Sequence, residues 1–302
     1  MTETDARHFL TGRELTSEVL SALLERGLEL KSAPRSSSAL EGAIVALLFE
    51  RPSTRTRLSF EAGIVELGGS SVTLRAEELQ LSRGESVRDT ALVLSRQVQA
   101  VGVRTGEHDV LEELARWASI PVFNMLTALH HPCQALADLL TLRETFGSLP
   151  GLRVAYVGDG NNVARSLAIL GELAGVEVVI ASPPGYSLAD IDGPAPETGT
   201  AELVADPREA VAGAQAVYTD VWVSMGDEQT AAQRRRDLAP YRVDEDLLAA
   251  ASADAIALHC LPAHPGEEIT TEVLYGPRQR IWDQAENRRH AQKALLEHLL
   301  PS

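Results

Sequence analysis

The sequence predicts an α/β protein made of two doubly wound, parallel-sheet domains. Strand-length apolar runs alternate with helical segments over residues 43–124, and such alternation is typical of parallel sheets covered by helices on both faces. The alternation restarts after the turn-forming run at 147–151. A chain of 302 residues also exceeds what one hydrophobic core usually holds.

The first half of the chain supplies strands and helices in turn. An early helix carries its apolar residues on one face, at Leu20, Leu23, Leu24 and Leu28. An apolar run of strand length covers 43–49, and a helix over 53–67 follows Pro52 and stops at Gly68 and Gly69, as Pro near a helix start and Gly past its end predict. Strands are predicted at 71–74, 100–103 and 121–124, and helices at 86–96, 108–118 and 131–146.

The second half repeats the pattern. Strands are predicted at 152–157, 176–180, 216–221 and 255–260. A helix is expected over 162–173, a short strand and helix near Leu203 and Glu209, and a surface loop over the Pro- and Gly-rich 183–200. The closing helix at 284–299 has Ala291, Leu295 and Leu299 on one face. The expected domains are 1–147 and 148–283, with segment 284–302 packing back on the first domain.

Charge and composition exclude several classes of function. The chain has 27 Lys and Arg residues against 43 Asp and Glu, a formal net charge of −16 and a pI near 4.9. Such a field repels polyanions, so we expect no nucleic acid and no acidic membrane surface as partner. Two cysteines, Cys133 and Cys260, are too few for a disulfide framework. No apolar stretch reaches the roughly 18 residues of a membrane span, and we expect a cytoplasmic protein.

Residues 53–57, with the sequence Ser-Thr-Arg-Thr-Arg, form a candidate anion site. They follow a strand and open a helix, so unpaired backbone N–H groups, hydroxyls and two guanidinium groups meet at the positive end of the helix dipole. Arginine suits bidentate recognition of phosphate or carboxylate. The alternative is a simple helix cap with two solvated arginines. The segment lacks the Gly-Lys pair of a Walker loop.

Residues 158–163, Gly-Asp-Gly-Asn-Asn-Val, resemble a dinucleotide-binding fingerprint but fail its test. Val163 stands where the third glycine belongs, and no acidic residue follows the next strand. The paired amides of Asn161 and Asn162 instead suit hydrogen bonding to a small polar ligand. A plain turn is the alternative interpretation.

Three more polar clusters follow predicted strands. They are 131–134 (His-Pro-Cys-Gln), 220–226 (Asp-Val-Trp-Val-Ser-Met-Gly) and 259–262 (His-Cys-Leu-Pro). Each alone could be a cap or a turn, but ligands of open α/β sheets bind at the carboxyl ends of strands. Together the clusters predict an enzyme with its active site in the crevice between two domains. The His and Cys residues show no zinc-ligand spacing, so no metal is expected.

These motifs, together with Ala-Glu-Asn-Arg at 285–288, resemble the ornithine carbamoyltransferase family over essentially the whole chain. The motifs at 53–57 and 131–134 are shared with aspartate carbamoyltransferases. Ser-Met-Gly at 224–226 and His-Cys-Leu-Pro at 259–262 distinguish the ornithine branch. The resemblance implies transfer of the carbamoyl group from carbamoyl phosphate to the δ-amine of L-ornithine in arginine metabolism, without a cofactor.

The resemblance also implies roles for matching residues. Carbamoyl phosphate would be held by Ser53, Thr54, Arg55, Thr56, Gln80, Arg104, His131, Pro132, Cys133, Gln134, Cys260, Leu261 and Arg288. Ornithine would be held by Asn162, Asp220, Ser224 and Met225. The catalytic groups would be Arg55, Arg104, His131, Asp220 and Cys260. Gln80 matches a residue that reaches a neighbouring subunit's site in this family, which implies a homotrimer.

Three places depart from the family pattern. Before His131, where an acidic and then an aromatic residue are usual, this chain has Ala128, Leu129 and His130. Arg165 stands where Asn or His is common, and Arg51 replaces a frequent Lys. A carbamoyltransferase for another amine, namely putrescine, an N-acylated ornithine or aspartate, is therefore an alternative. A catalytically silent anion-binding relative is a second one.

Overall fold

The strands that the structure describes lie in two parallel sheets, one in each of two compact units. The structure is a computed structural model and describes residues 7–78, 84–190, 199–223 and 229–301. The first unit comprises Met1–Leu140 and Glu286–Ser302, and the second Thr141–Ala285. The domain limits expected from the sequence, at 147 and 283, stay a prediction. The two-sheet α/β class is confirmed.

The first unit contains a four-stranded sheet. Its strands are β1 (Ile44–Phe49), β2 (Ser70–Arg75), β3 (Ala100–Arg104) and β4 (Val122–Leu126), in the order β2-β1-β3-β4. Phe49 of β1 is in register with Arg104 of β3, so the carboxyl ends of these two strands lie side by side. Val45 and Leu47 are fully buried, as a sheet covered on both faces requires.

The second unit contains a five-stranded parallel sheet. Its strands are β5 (Arg153–Val157), β6 (Glu177–Ala181), β7 (Glu202–Val204), β8 (Ala216–Thr219) and β9 (Ile256–His259), in the order β7-β6-β5-β8-β9. Chain order reverses between β5 and β8, which are hydrogen-bonded neighbours. In open α/β sheets this reversal opens a crevice at the carboxyl ends of the strands. Asn161, Asp220 and Cys260 all follow strands at this edge.

Helices cover both sheets. They are α1 (Ser17–Ser32), α2 (Thr54–Glu66), α3 (Val87–Leu94), α4 (His108–Trp117), α5 (Pro132–Phe146), α6 (Asn162–Leu173), α7 (Pro207–Val211), α8 (Ala231–Leu238), α9 (Glu245–Ala249), α10 (Thr271–Leu274) and α11 (Ile281–Leu299). Side-chain caps begin many of them: Ser86 accepts from the Asp89 N–H at α3, and Asp244 from the Leu247 N–H at α9. None of the described helices is long and apolar enough to cross a membrane.

Some elements differ from the sequence prediction. The strand expected over 216–221 ends at Thr219, and the one expected over 255–260 ends at His259. Leu28 is only partly buried, and Leu30 takes its place in the core of α1. Helix α8 was missed because its sequence, Ala-Ala-Gln-Arg-Arg-Arg-Asp-Leu, has no apolar face, so hydrophobic periodicity gives no signal.

Candidate active site

The amino end of α2 carries the segment expected to bind an anion. The Ser53 side chain caps the helix by accepting the Thr56 N–H at 3.4 Å, Thr54 is exposed and Arg55 is half-buried. Arg57 instead pairs with Glu61 at 2.8 Å on the helix surface. The segment therefore opens a helix as predicted. Of its two arginines, Arg57 is a surface side chain, as the alternative interpretation expects, whereas Arg55 is half-buried.

Two other predicted residues, Thr56 and Gln134, bind the guanidinium group of Arg288, which is 3 % exposed. Its Nη2 donates to Thr56 Oγ1 at 2.8 Å, and its Nη1 donates to Gln134 Oε1. The Gln134 amide in turn donates to Asp138 Oδ1 at 2.8 Å. Helices α2, α5 and α11 thus meet at the buried guanidinium group of Arg288, which donates to α2 through one terminal nitrogen and to α5 through the other.

His131 and Arg104 lie within electrostatic reach of this cluster. His131 immediately precedes α5, and Arg104 is the last residue of β3; both are buried. Burial, followed by the positive charges of Arg288 and Arg104, holds the pKa of His131 well below its usual value. The imidazole is therefore neutral near pH 7, and it can donate a hydrogen bond without adding charge.

Cys133 and Pro132 begin α5. The thiol of Cys133 is fully buried and donates to the carbonyl oxygen of Asn124 at 3.1 Å. Burial raises the pKa of this thiol to about 12, so it remains protonated and unreactive. Pro132 has no N–H to donate. Any contact that these two residues make with a ligand would therefore use the main chain.

A second cluster surrounds Asp220, one residue beyond the end of β8. The Cys260 thiol donates to its Oδ1 at 2.8 Å, and the Asn161 amide donates to its Oδ2 at 2.9 Å. The side-chain oxygen Oδ1 of Asn161 meanwhile accepts from Tyr156 Oη, and it caps α6 by accepting the Val163 N–H. The side chain of Asn161 thus binds protein groups on both sides. Asn162 is half-buried at the start of α6, and its ligand role stays a prediction.

The backbone after β9 is held by its own network. The Leu261 N–H donates to His259 Nδ1 at 2.8 Å, so the ring proton lies on Nε2, which bonds to Glu268 Oε1 at 3.0 Å. Glu268 Oε1 also accepts the His264 N–H at 2.5 Å. Leu261 has a φ of 61°, and the Leu261-Pro262 peptide bond is cis. The buried His259–Glu268 pair fixes the residues on either side of Cys260.

Gln80, Ser224 and Met225 lie outside the described residues. Of the other predicted residues, direct hydrogen bonds join Thr56, Gln134 and Arg288 in the first unit, and Asp220 and Cys260 in the second. Ser53, Thr54 and Arg55 share one helix start.

Comparison with known families identifies both units. The family described as aspartate/ornithine carbamoyltransferase, carbamoyl-P binding domain, matches residues 7–144. The companion Asp/Orn binding domain of the same family matches residues 150–299. The chain belongs to the aspartate/ornithine carbamoyltransferase family.

Individual carbamoyltransferases are similar over nearly their full length. The ornithine carbamoyltransferase of Acidothermus cellulolyticus is 54 % identical over 97 % of this chain and 96 % of that protein. The Methanoculleus marisnigri enzyme of the same name is 51 % identical over 95 % and 93 %. The crystal structure of ornithine carbamoyltransferase from Thermus thermophilus has a TM-score of 0.89 at 44 % identity, covering 97 % of this chain and 99 % of that one. These matches confirm the family resemblance.

Among the described residues of this carbamoyltransferase, two groups of side chains have metal-ligating atoms within 4.8 Å of one another: Asp220, His259 and Cys260, and His264, Glu267 and Glu268. In the first group the Cys260 thiol and both ring nitrogens of His259 are already hydrogen-bonded. In the second, Glu267 pairs with Arg235. Folding brings these groups together although their sequence spacing is not that of a zinc site. The expectation of no metal stays a prediction.

Sequence reasoning missed several residues that support the candidate site. Glu268 holds His259 from nine residues away, and Tyr156 holds Asn161 from inside β5. Arg234 of α8 binds Asp159. One of two adjacent glutamates, a strand tyrosine and one arginine in a run of three carry no pattern that sequence reading could detect.

Proposed function

We propose that the chain is an ornithine carbamoyltransferase. It transfers the carbamoyl group of carbamoyl phosphate to the δ-amine of L-ornithine and forms L-citrulline and phosphate. The observation that carries this proposal is the similarity to proteins named ornithine carbamoyltransferase, which reaches 54 % identity over 97 % of the chain. The two domain matches support the same reaction class, with carbamoyl phosphate and an amino acid as the ligands.

In the proposed first half-site, carbamoyl phosphate binds at the start of α2. Ser53, Thr54 and Arg55 with the helix N–H groups would hold the phosphate, an anion that this helix end favours. Arg104 and Arg288 add buried positive charge. Because phosphate gains charge as the C–O bond breaks, these cations stabilise the transition state more than the ground state.

The carbamoyl oxygen would be polarised by His131 and Arg55. A neutral His131 can donate its N–H to this oxygen as negative charge develops on it. Gln134 and the main chain at Pro132 and Cys133 would bind the carbamoyl end. Cys260 and Leu261 would also contact carbamoyl phosphate. Gln80 would reach from its own subunit into the site of a neighbouring one.

In the proposed second half-site, Asn162, Asp220, Ser224 and Met225 bind ornithine. The δ-amine must lose a proton to become a nucleophile, since a free alkylamine has a pKa of roughly 10.4. Its nitrogen then attacks the carbamoyl carbon, the C–O bond to phosphate breaks, and phosphate leaves with the electron pair. The nitrogen loses its extra proton to the departing phosphate, which gives citrulline and hydrogen phosphate. Asp220 and Cys260, joined by their hydrogen bond, are assigned to the reacting amine.

We further propose a homotrimer that works in arginine biosynthesis in the cytoplasm. Exposed apolar side chains support self-association: Leu58 and Val65, seven residues apart on α2, are 62 % and 65 % exposed, and Val72 on the edge strand β2 is 45 % exposed. Light scattering on the purified protein would measure three times the chain mass. Two free cysteines are consistent with a reducing compartment.

The test is an assay for ureido product with carbamoyl phosphate and, in parallel, ornithine, putrescine, N-acetylornithine and aspartate. We expect turnover with ornithine at a kcat/KM about a hundredfold above that of the other amines, a difference of roughly 2.7 kcal/mol. Preference for another amine would overturn the ornithine assignment. No turnover with any amine would favour the silent relative.

A further inference from the structure

Arg234 joins two segments of the second unit that the proposed reaction uses. It lies in α8, and its Nε donates to the carbonyl oxygen of Trp222 at 2.6 Å. Its Nη2 donates to the carboxylate of Asp159. The guanidinium carbon also stands 5.1 Å from the ring centroid of Tyr186, over the ring face.

Each acceptor belongs to a segment that carries a proposed ornithine ligand. Asp159 is part of the turn that leads through Asn161 to Asn162, and Trp222 follows Asp220 by two residues. The two segments meet directly in the 2.9 Å hydrogen bond from Asn161 to Asp220. Arg234 therefore makes a second connection between the same two segments. It runs through Asp159 and Trp222, whereas the first runs through Asn161 and Asp220.

The connection is shielded from water. The side chains of Arg234 and Asp159 are only 15 % and 14 % exposed, so removing one partner leaves the other charge largely buried and without its counter-ion. Neighbouring bonds hold Tyr186 and α8 together: Tyr186 Oη donates to Asp237 Oδ2 at 2.8 Å, and Gln233 donates to Asp237 Oδ1 at 2.6 Å. The guanidinium group is thus fixed before any ligand binds.

We propose that Arg234 is a positioning residue for the amino-acid substrate. It fixes the Asp159–Asn162 turn against the Asp220–Trp222 segment and so sets the distance between Asn162 and Asp220. This inference rests on the proposed function, which assigns those two residues to ornithine. Because Arg234 and its partners lie in the second unit, its loss should weaken ornithine binding and leave carbamoyl phosphate binding in place.

The experiment compares R234A, R234K and the control R236A in steady-state assays with each substrate varied in turn. Arg236 is on the same helix, but its guanidinium group donates to Gln233 rather than to Asp159 or Trp222. For R234A we expect the KM for ornithine to rise by about ten- to a hundredfold, and the KM for carbamoyl phosphate to change by less than about twofold. R234K should be intermediate, since an ammonium group pairs with Asp159 but lacks the planar fork that also reaches Trp222.

D159N provides an independent route to the same bond. It should raise the KM for ornithine as R234A does, and the double variant should be no worse than the poorer single one, because both remove one interaction. If R234A is recovered unfolded, D159N and R234K carry the test, with circular dichroism to show that they fold. An unchanged KM for ornithine, or equal rises for both substrates, would overturn the positioning role. Wild-type protein without activity toward ornithine would overturn the proposed function instead.

Discussion

The thiol of Cys260 donates a hydrogen bond to Oδ1 of Asp220 across 2.8 Å, while the amide of Asn161 donates to the other carboxylate oxygen across 2.9 Å. One carboxylate, 7 % exposed, is thereby oriented from two sides by residues that follow two other strands. Asp220 is thus fixed in direction before a substrate amine arrives.

Replacing Asp220 tests this arrangement directly. D220N keeps the shape but removes the charge that would bind an amine, and we expect kcat/KM for ornithine to fall by about a hundredfold or more. C260S keeps a hydroxyl donor to Asp220, so its loss should be smaller, about tenfold. Initial rates of ureido product measure both variants. D220N activity within about twofold of wild type would contradict the assignment.

Arg55 and Arg57 offer a matched pair on one helix. Arg55 is assigned to carbamoyl phosphate, so R55A should lose about 3 kcal/mol of transition-state stabilisation, a fall of more than a hundredfold in kcat/KM. Arg57 is bound in a surface pair with Glu61, and such i,i+4 pairs contribute about 0.3–0.5 kcal/mol. R57A should therefore retain near-normal kinetics. Equal losses in the two variants would show that general positive charge, rather than Arg55 itself, binds the phosphate.

Local sequence patterns predict the strands and much of this site. Apolar runs locate β1, β5, β8 and β9, and polar residues are found at strand ends, such as Asp220 after β8 and Cys260 after β9. Short-range signals suffice there because burial sets the period and length of a strand.

The rest depends on contacts that are distant in sequence. The bond from Arg288 to Thr56 joins residues 232 positions apart, and no periodicity encodes it. Asn161 and Asn162 look equivalent in sequence, yet it is the Asn161 side chain that caps α6 and also donates to Asp220. Helix α8 is stabilised through Arg234 and Asp237 rather than by an apolar face. Such roles follow from tertiary structure, which a single sequence does not reveal.

The lowered pKa of His131 makes stability depend on pH. Burial and the charges of Arg288 and Arg104 hold this imidazole neutral in the folded state, whereas in the unfolded chain its pKa is about 6.5. Above that value both states are neutral. As the pH falls below it, the unfolded state binds the proton first, so the free energy of unfolding should fall by up to about 1.4 kcal/mol per pH unit for this group.

Urea denaturation of wild type and H131N at pH 7.5 and 5.5 measures this contribution. His8, His290 and His298 also have lowered pKa values, so the wild-type slope sums several groups and the comparison isolates His131. We expect a smaller loss of stability on acidification in H131N. The same loss in both proteins would show that His131 is protonated in the folded state as readily as in the unfolded chain.

The two cysteines should differ sharply toward thiol reagents. Cys133 is fully buried, bonded to the Asn124 carbonyl, and has a pKa raised to about 12, so almost no thiolate forms at pH 8. Cys260 is partly exposed and faces Asp220. A disulfide reagent should therefore label one thiol in the folded protein and two in urea. C260S should show none when folded, and ornithine should slow the labelling of wild type. Rapid labelling of two thiols in the folded protein would contradict the buried environment of Cys133, and labelling that ornithine does not slow would argue against placing Cys260 at the amine.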